Sequence, residues 1–411
     1  MLTRRKFLVV FSAALSAFST ALPTFAAPVS AFPALPFRKK KPLPPAPTYV
    51  YFGTDTGKGG SKGIYMSRFD PVKGQLTPPV LAATIASPTF LALSTPRSGH
   101  RFLYTVNAFN DTTSAATTFS IDPVTGALKK LGEVPVDGND PVCISIDSTS
   151  QTAFVANYDS SLSSFRVMAD GTLSPPVDHI DFKDPKKFGA LGPNPHQDAS
   201  HPHSATISPD NRFVLVSDLG TDQITVFLID SDTGHLSGQK LFTNNRPGSG
   251  PRHIVFHPNG RWVYGINELD STVDRYLWTA TRFSDTPQGM LISTNEPIKT
   301  IADDFPVAKN SAAEIVISSD GAFLYASNRG EDTLAVFSIS EKDGRLIFLQ
   351  RISCGGKTPV HLAISPTAKW LLCSNHHSNN VTVFRRDAAT GKLAGPTQTM
   401  PIDSPMFLLF A

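Results

Sequence analysis

Three cysteines in 411 residues, Cys143, Cys354 and Cys373, build no disulfide framework. Each lies in or beside an apolar run, which reads as a buried thiol behaving as a small hydrophobe. Sequence leaves a Cys354–Cys373 bridge open, and no histidine adjoins any of the three to make a thiol nucleophile. Surplus charge is also missing. The formal net charge is +3, and Arg4, Arg5 and Lys6 lie in a segment without acids, so the remainder is close to neutral. Nucleic acid is therefore not an expected partner, because no basic excess remains to displace counterions. No apolar run reaches the roughly 20 residues that a membrane-spanning helix needs, so no stable anchor is expected. Sustained helical periodicity is absent too. Tryptophan occurs only as Trp262, Trp278 and Trp370. With no tryptophan-docking repeat or calcium motif in the chain, a quinone-dependent dehydrogenase is disfavoured.

What the chain does hold is 28 Gly, 34 Pro and 28 Phe, a mixture suited to many short strands joined by tight turns. Residues 1–26 read as an export signal: Arg4-Arg5-Lys6-Phe7-Leu8 precedes an apolar stretch from Val9 to Leu22, and Thr24-Phe25-Ala26 offers small residues for cleavage. The paired arginines followed by Phe-Leu resemble a twin-arginine signal, which predicts a bacterial periplasmic protein. Residues 27–47, rich in proline with a basic knot at Arg38 to Lys41, read as a linker. Residues 48–411 form the domain.

From Tyr49 onward the chain repeats at roughly fifty residues. The marker is an apolar strand ending in Asn or Asp, at Asn107, Asn157, Asp218, Asn267, Asn328 and Asn375, with a weaker copy opening at Tyr49. Turns such as SPDNR, HPNGR and SSDGA precede the markers, and further strands follow, as in ITVFLID and LAVFSIS. Four strands in each of seven units predict an all-β, seven-bladed β-propeller. The chain ends in SPMFLLFA, a lone first strand, and begins with a lone second strand, so their pairing is expected to close the ring. A ring closed this way is expected to be a monomer.

Gly250 to Val273, GPRHIVFHPNGRWVYGINELDSTV, is the fullest copy of the repeat. Its His257-Pro258-Asn259-Gly260 is a turn signal in which Pro fixes φ and Asn and Gly tolerate positive φ. The antiparallel return places Arg252, before the first strand, beside Glu268, after the second. Arg252 lies fifteen residues before Asn267, and the same offset selects Ala92, Val142, His203, Ala313 and Val360 as a ring lining the central channel. Residues just after the markers, Ala108, Tyr158, Leu219, Glu268, Arg329 and His376, form a second set at that rim. Blades four to six thus contribute His203, Arg252, Glu268 and Arg329 to one mouth. His201, Asn267, Asn328 and His376 beside them are expected to contact substrate, although strand-end Asn ordinarily caps local backbone. An insertion, Lys183 to Pro202, breaks the period and reads as a pocket wall. Its His196, Asp198 and His201, with His203, match no closed tetrahedral spacing, so neither metal nor cofactor is expected.

At HQDASHPHSATISPDNRFVLVSDLGTDQI, GPRHIVFHPNGRWVYGINELDSTV and SNRGEDTLAVF the sequence resembles the seven-bladed lactonase family, which includes 6-phosphogluconolactonases of the propeller type and carboxymuconate cyclases. The resemblance spans Tyr49 to Ala411. It implies an active site of His203, Arg252, Glu268 and Arg329, the set that the repeat register also selects, and hydrolysis of a sugar-type lactone without a cofactor. On this reading Glu268 is the general base, Arg252 serves the oxyanion or a substrate anion, Arg329 anchors, and His203 protonates the ring oxygen or exchanges roles with Glu268. A muconate-type cyclase or isomerase and a non-catalytic binding propeller are the alternatives.

Overall fold

In the computed structural model the described residues are 48–411, apart from 58, 97–98, 109–113 and 284–285; the expected export signal and linker lie outside them. Seven antiparallel sheets of four or five strands follow one another along the chain. The fifth is representative: Pro251–Phe256, Trp262–Asn267, Thr272–Phe283 and Thr286–Ser293 pair in sequence order, from the channel outward. First strands of neighbouring blades touch all the way round, with Pro405–Phe410 packed between Pro359–Ile364 and Pro88–Leu93. Closure is as expected. Thr48–Thr54 pairs antiparallel with Pro405–Phe410, Tyr51 opposite Leu409, so one blade is assembled from both ends of the domain.

Apolar faces pack between blades, not within them. Trp262, Tyr264 and Ile266 of blade five, for instance, meet Ile315, Leu324 and Phe337 of blade six. A polar staple recurs at these joints. Tyr51, Tyr104, Tyr264 and Tyr325 each donate a buried hydroxyl to a glycine carbonyl in the outer turn of the next blade, at Gly126, Gly171, Gly344 and Gly391. All three cysteines are buried and free. Burial raises the thiols of Cys143 and Cys354 to about 12 and about 11, which makes both poor nucleophiles.

The markers are structural devices. Asn267 has no exposed surface; its amide donates to Thr272 Oγ1 (2.9 Å) and Asp274 Oδ2 (2.7 Å) and accepts from Asn245 (3.0 Å). Asn328, equally buried, donates to Thr300 O and Thr333 Oγ1 and accepts from Thr300 Oγ1 (2.7 Å). Each ties the end of a second strand to the third strand and to a neighbouring loop. In the HPNG turn only Gly260 takes positive φ (+67°); Asn259 acts through its side chain, accepting from the amides of Arg261 and Trp262.

One local irregularity builds the site. Pro251 lies opposite Asn267, yet His253 lies opposite Ile266, so Arg252 is an extra residue bulged out of the ladder. The same shift falls between Pro202 and Ser204, between Ala312 and Ile315, and between Pro359 and His361. A bulge turns two successive side chains toward one side instead of alternating them. Gly250 sets it up, with φ +63°, and a Cβ there would lie 2.6 Å from Leu269 Cγ. In blade two, Pro88 pairs with Asn107 across a longer turn, so the bulged residue is Thr89 and not Ala92 as the constant offset predicted.

Candidate active site

The bulges deliver two stacked rings to the channel. Thr89, Val142, His203, Arg252, Val360 and Met406 line a pocket of about 640 Å³, and Phe90, His253, Glu314, His361 and Phe407 line it from one residue further along each first strand. Phe90, His253, Glu314 and His361 also border a second cavity deeper in the channel, lined by Cys143, Ser204 and Ala205. The second ring is therefore a layer between two cavities.

At the mouth, Glu268 sits between two guanidinium groups: its Oε2 lies 3.0 Å from Arg252 Nε and 2.7 Å from Arg329 Nη2. Ser311 completes the cluster by donating to Glu268 Oε1 (2.9 Å) and accepting from Arg329 Nη2 (2.6 Å). Arg252 is pinned to the next blade by Nη1 to Ala313 O (2.6 Å), and Arg329 is pinned within its own blade by Nε to Ser311 O (3.0 Å). Burial alone would raise the Glu268 carboxyl, but Arg329 and Arg252 outweigh it and hold the group lowered and ionised. Arg252 falls to about 10 through burial and the nearby Arg329 charge, and still carries its proton at neutral pH. His203 is driven well below the ordinary histidine range by burial, then by Arg252 and His253, so it is a neutral imidazole. Tyr158 stands edge-on to His203 at 5.8 Å between ring centroids.

The four expected catalytic residues thus converge, whereas the expected substrate contacts mostly do not. Asn267 and Asn328 are sealed inside the blades with their amides committed, because capping claims the groups that a ligand would need. His201 stacks on Tyr158, and its ring nitrogens bond to Tyr158 O and Asp198 Oδ1, each at 3.0 Å. His376 stands 3.7 Å from Asp55 at the blade that closes the ring, away from the pocket lining. Leu219, placed at the rim by its register, is buried. The insertion does form a wall: Asn194, Pro195 and His196 face Glu268 and Lys309 across an outer recess of about 850 Å³.

Ser311 and the layer of His253, Glu314 and His361 went unpredicted. Glu314 accepts from His253 Nδ1, 3.2 Å from both oxygens, and from the Ile315 amide (3.0 Å), and lies 3.5 Å from His361 Nε2. Burial opposes the charge on Glu314, but His253 and His361 bring its carboxyl down to about 2. Counting one residue past the fifteen-residue offset finds all three.

This fold and this cluster define a propeller of the lactonase class. The family described as "Lactonase, 7-bladed beta-propeller" matches residues 49–410, and the chain belongs to it. Among its relatives, a protein called 6-phosphogluconolactonase from Bacillus subtilis is 32% identical over 88% of this chain and 97% of its own length. One of the same name from Formosa agariphila is 34% identical over 86% and 97%. The solved structure of a Pseudomonas aeruginosa periplasmic gluconolactonase superposes with a TM-score of 0.79 at 30% identity, covering 89% of this chain and 99% of that one.

Proposed function

We propose that this protein hydrolyses a sugar-type lactone in the mouth of its propeller, without a cofactor. The observation that carries the reading is the convergence of Arg252 and Arg329 on Glu268 beside the neutral imidazole of His203. Lactone opening builds negative charge on the carbonyl oxygen, and the two protein-anchored guanidinium groups, Arg252 buried and Arg329 half-buried, are suited to receive it or to hold a substrate anion. Glu268, chosen from sequence as the base, faces two cations and a hydroxyl, which lower its basicity. We therefore assign it to holding the two guanidinium groups in place. A neutral His203 is suited to hydrogen-bond the ring oxygen as it leaves.

The names of the relatives support a gluconolactone, with or without a 6-phosphate. The Pseudomonas relative and the signal expected at residues 1–26 together support work in the periplasm on a small molecule. The test is proton release from glucono-1,5-lactone and its 6-phosphate, with spontaneous opening subtracted. Wild type is expected to exceed background, and Arg252→Ala to lose roughly 10²–10³-fold in kcat/KM. Background rates for wild type with both lactones would refute the reading.

A further inference from the structure

The layer beneath the guanidinium groups holds the site's second carboxylate, and its hydrogen bonds fix which nitrogen of each imidazole carries the proton. The Leu408 amide donates to His361 Nδ1 (3.3 Å), so the His361 proton is on Nε2, directed at Glu314. Glu314 is ionised and accepts at every contact, so His253 presents N–H from Nδ1 and keeps its lone pair on Nε2. That nitrogen faces the pocket side, where its one contact among the described residues is a long hydrogen bond from Arg252 Nη1 (3.4 Å), a group held more tightly by Ala313 O (2.6 Å); the His253 and His203 ring centres are 5.2 Å apart. A carboxylate behind one imidazole nitrogen, with the other nitrogen facing the reaction space, is the arrangement that stabilises an imidazolium as it forms.

We propose that His253, backed by Glu314, is the general base of this site: its Nε2 takes the proton of the water that attacks the lactone carbonyl. The proposal rests on the lactonase reading above. The water oxygen bonds to the carbonyl carbon while its proton passes to His253 Nε2, and the oxyanion is held at the guanidinium groups. Collapse of this intermediate breaks the carbon–ring oxygen bond, and the ring oxygen takes a proton from the imidazolium. The product is a hydroxy acid, which releases one proton as it ionises.

Three observations favour His253 over the other groups facing the pocket. Among the described residues His203 has no carboxylate partner, and its Nδ1 is buried without a hydrogen bond, so a positive charge there would be opposed by two nearby guanidinium groups. Glu268 is already shared by those two groups. His361 directs one nitrogen at Glu314 and the other at the Leu408 amide, so neither can be turned to a water by releasing a single long contact, as His253 Nε2 can. His253 is lowered by burial and by Arg252, while Glu314 pulls the other way, so it is neutral at pH 7 and ready to accept. The charged and titratable groups around it are Glu314, Arg252, His203, His361 across the shared carboxylate and, further off, Glu268.

The experiment measures kcat, KM and the pH dependence of kcat/KM for wild type, His253→Asn and Glu314→Gln, with melting temperatures as a fold control. His253→Asn keeps a donor toward Glu314 and removes the base, so kcat is expected to fall roughly 10²–10⁴-fold with little change in KM. Glu314→Gln keeps the shape and removes the charge. Its kcat is expected to fall, and the acid limb, set in wild type below pH 6.5, to move to lower pH because the imidazolium loses its partner. If Glu314→Gln does not fold, His253→Asn decides alone. Full kcat in a folded His253→Asn, or an unmoved acid limb in a folded Glu314→Gln, overturns the proposal. A wild type without turnover overturns the lactonase reading beneath it.

Discussion

Acid should weaken this fold through a residue at the bottom of the pocket. His361 is buried in the channel against Phe407, with ring centres 3.7 Å apart. Burial lowers it from 6.5 to about 4; Glu314 opposes this, while His253 and Arg252 add to it. A group whose protonation is disfavoured in the fold costs stability once the unfolded chain begins to take up that proton. The loss therefore begins near pH 6.5 and is complete below about pH 4. Between about pH 7 and about pH 4.5 it amounts to about 2–3 kcal/mol from this one side chain. Glu314 does not confuse the window. Its carboxyl lies at about 2, so the stability it contributes is present above its unfolded value and lost only below that. The assay is urea unfolding at about pH 7 and about pH 4.5, comparing wild type with His361→Asn, which carries no titrating ring. Other groups titrate in both proteins and cancel. Wild type should lose about 2–3 kcal/mol more than the variant; equal losses would show that His361 is not held neutral by its surroundings.

Two further perturbations test other parts of the structure. Asn267→Ala removes a fully buried cap with three hydrogen bonds and is expected to cost roughly 2–4 kcal/mol in urea unfolding. KM should be unchanged; a raised KM with intact stability would return Asn267 to the substrate. Truncation after Ser404 removes the strand paired with Thr48–Thr54 and is expected to leave an aggregating chain without a cooperative transition by circular dichroism. A monomer with wild-type melting behaviour would show that this pairing is dispensable.

The blades, their number, their order and the closure of the ring were all legible in the sequence, because a fifty-residue repeat carries its own turn chemistry seven times over. The four converging residues were legible for a related reason: Arg252 and Glu268 sit at the two ends of one hairpin, so register alone joins them. What sequence hid was the bulge. Simple strand alternation gives the channel one residue per crossing, and on that rule His253, Glu314 and His361 face away. The extra residue at Arg252 and its counterparts turns inward together with the residue after it and so exposes a second ring. The fixed offset failed at Ala92 because the turn before Arg101 is longer in that blade. Asn267 and Asn328 misled for a chemical reason, since an amide that recurs at every strand end is equally suited to capping and to ligand contact, and burial decides between them.

The shared blade also fixes an order of events. Its second strand, Thr48–Thr54, is made before every other strand of the domain, and its first strand, Pro405–Phe410, is made last. While the intervening blades emerge and pack one on another, Thr48–Thr54 keeps an unsatisfied edge of amides and carbonyls, open to any other extended chain. The earliest of the described strands to be synthesised is thus the last to be completed. Whatever shields that edge must act throughout synthesis and then yield to six residues at the far end of the same molecule.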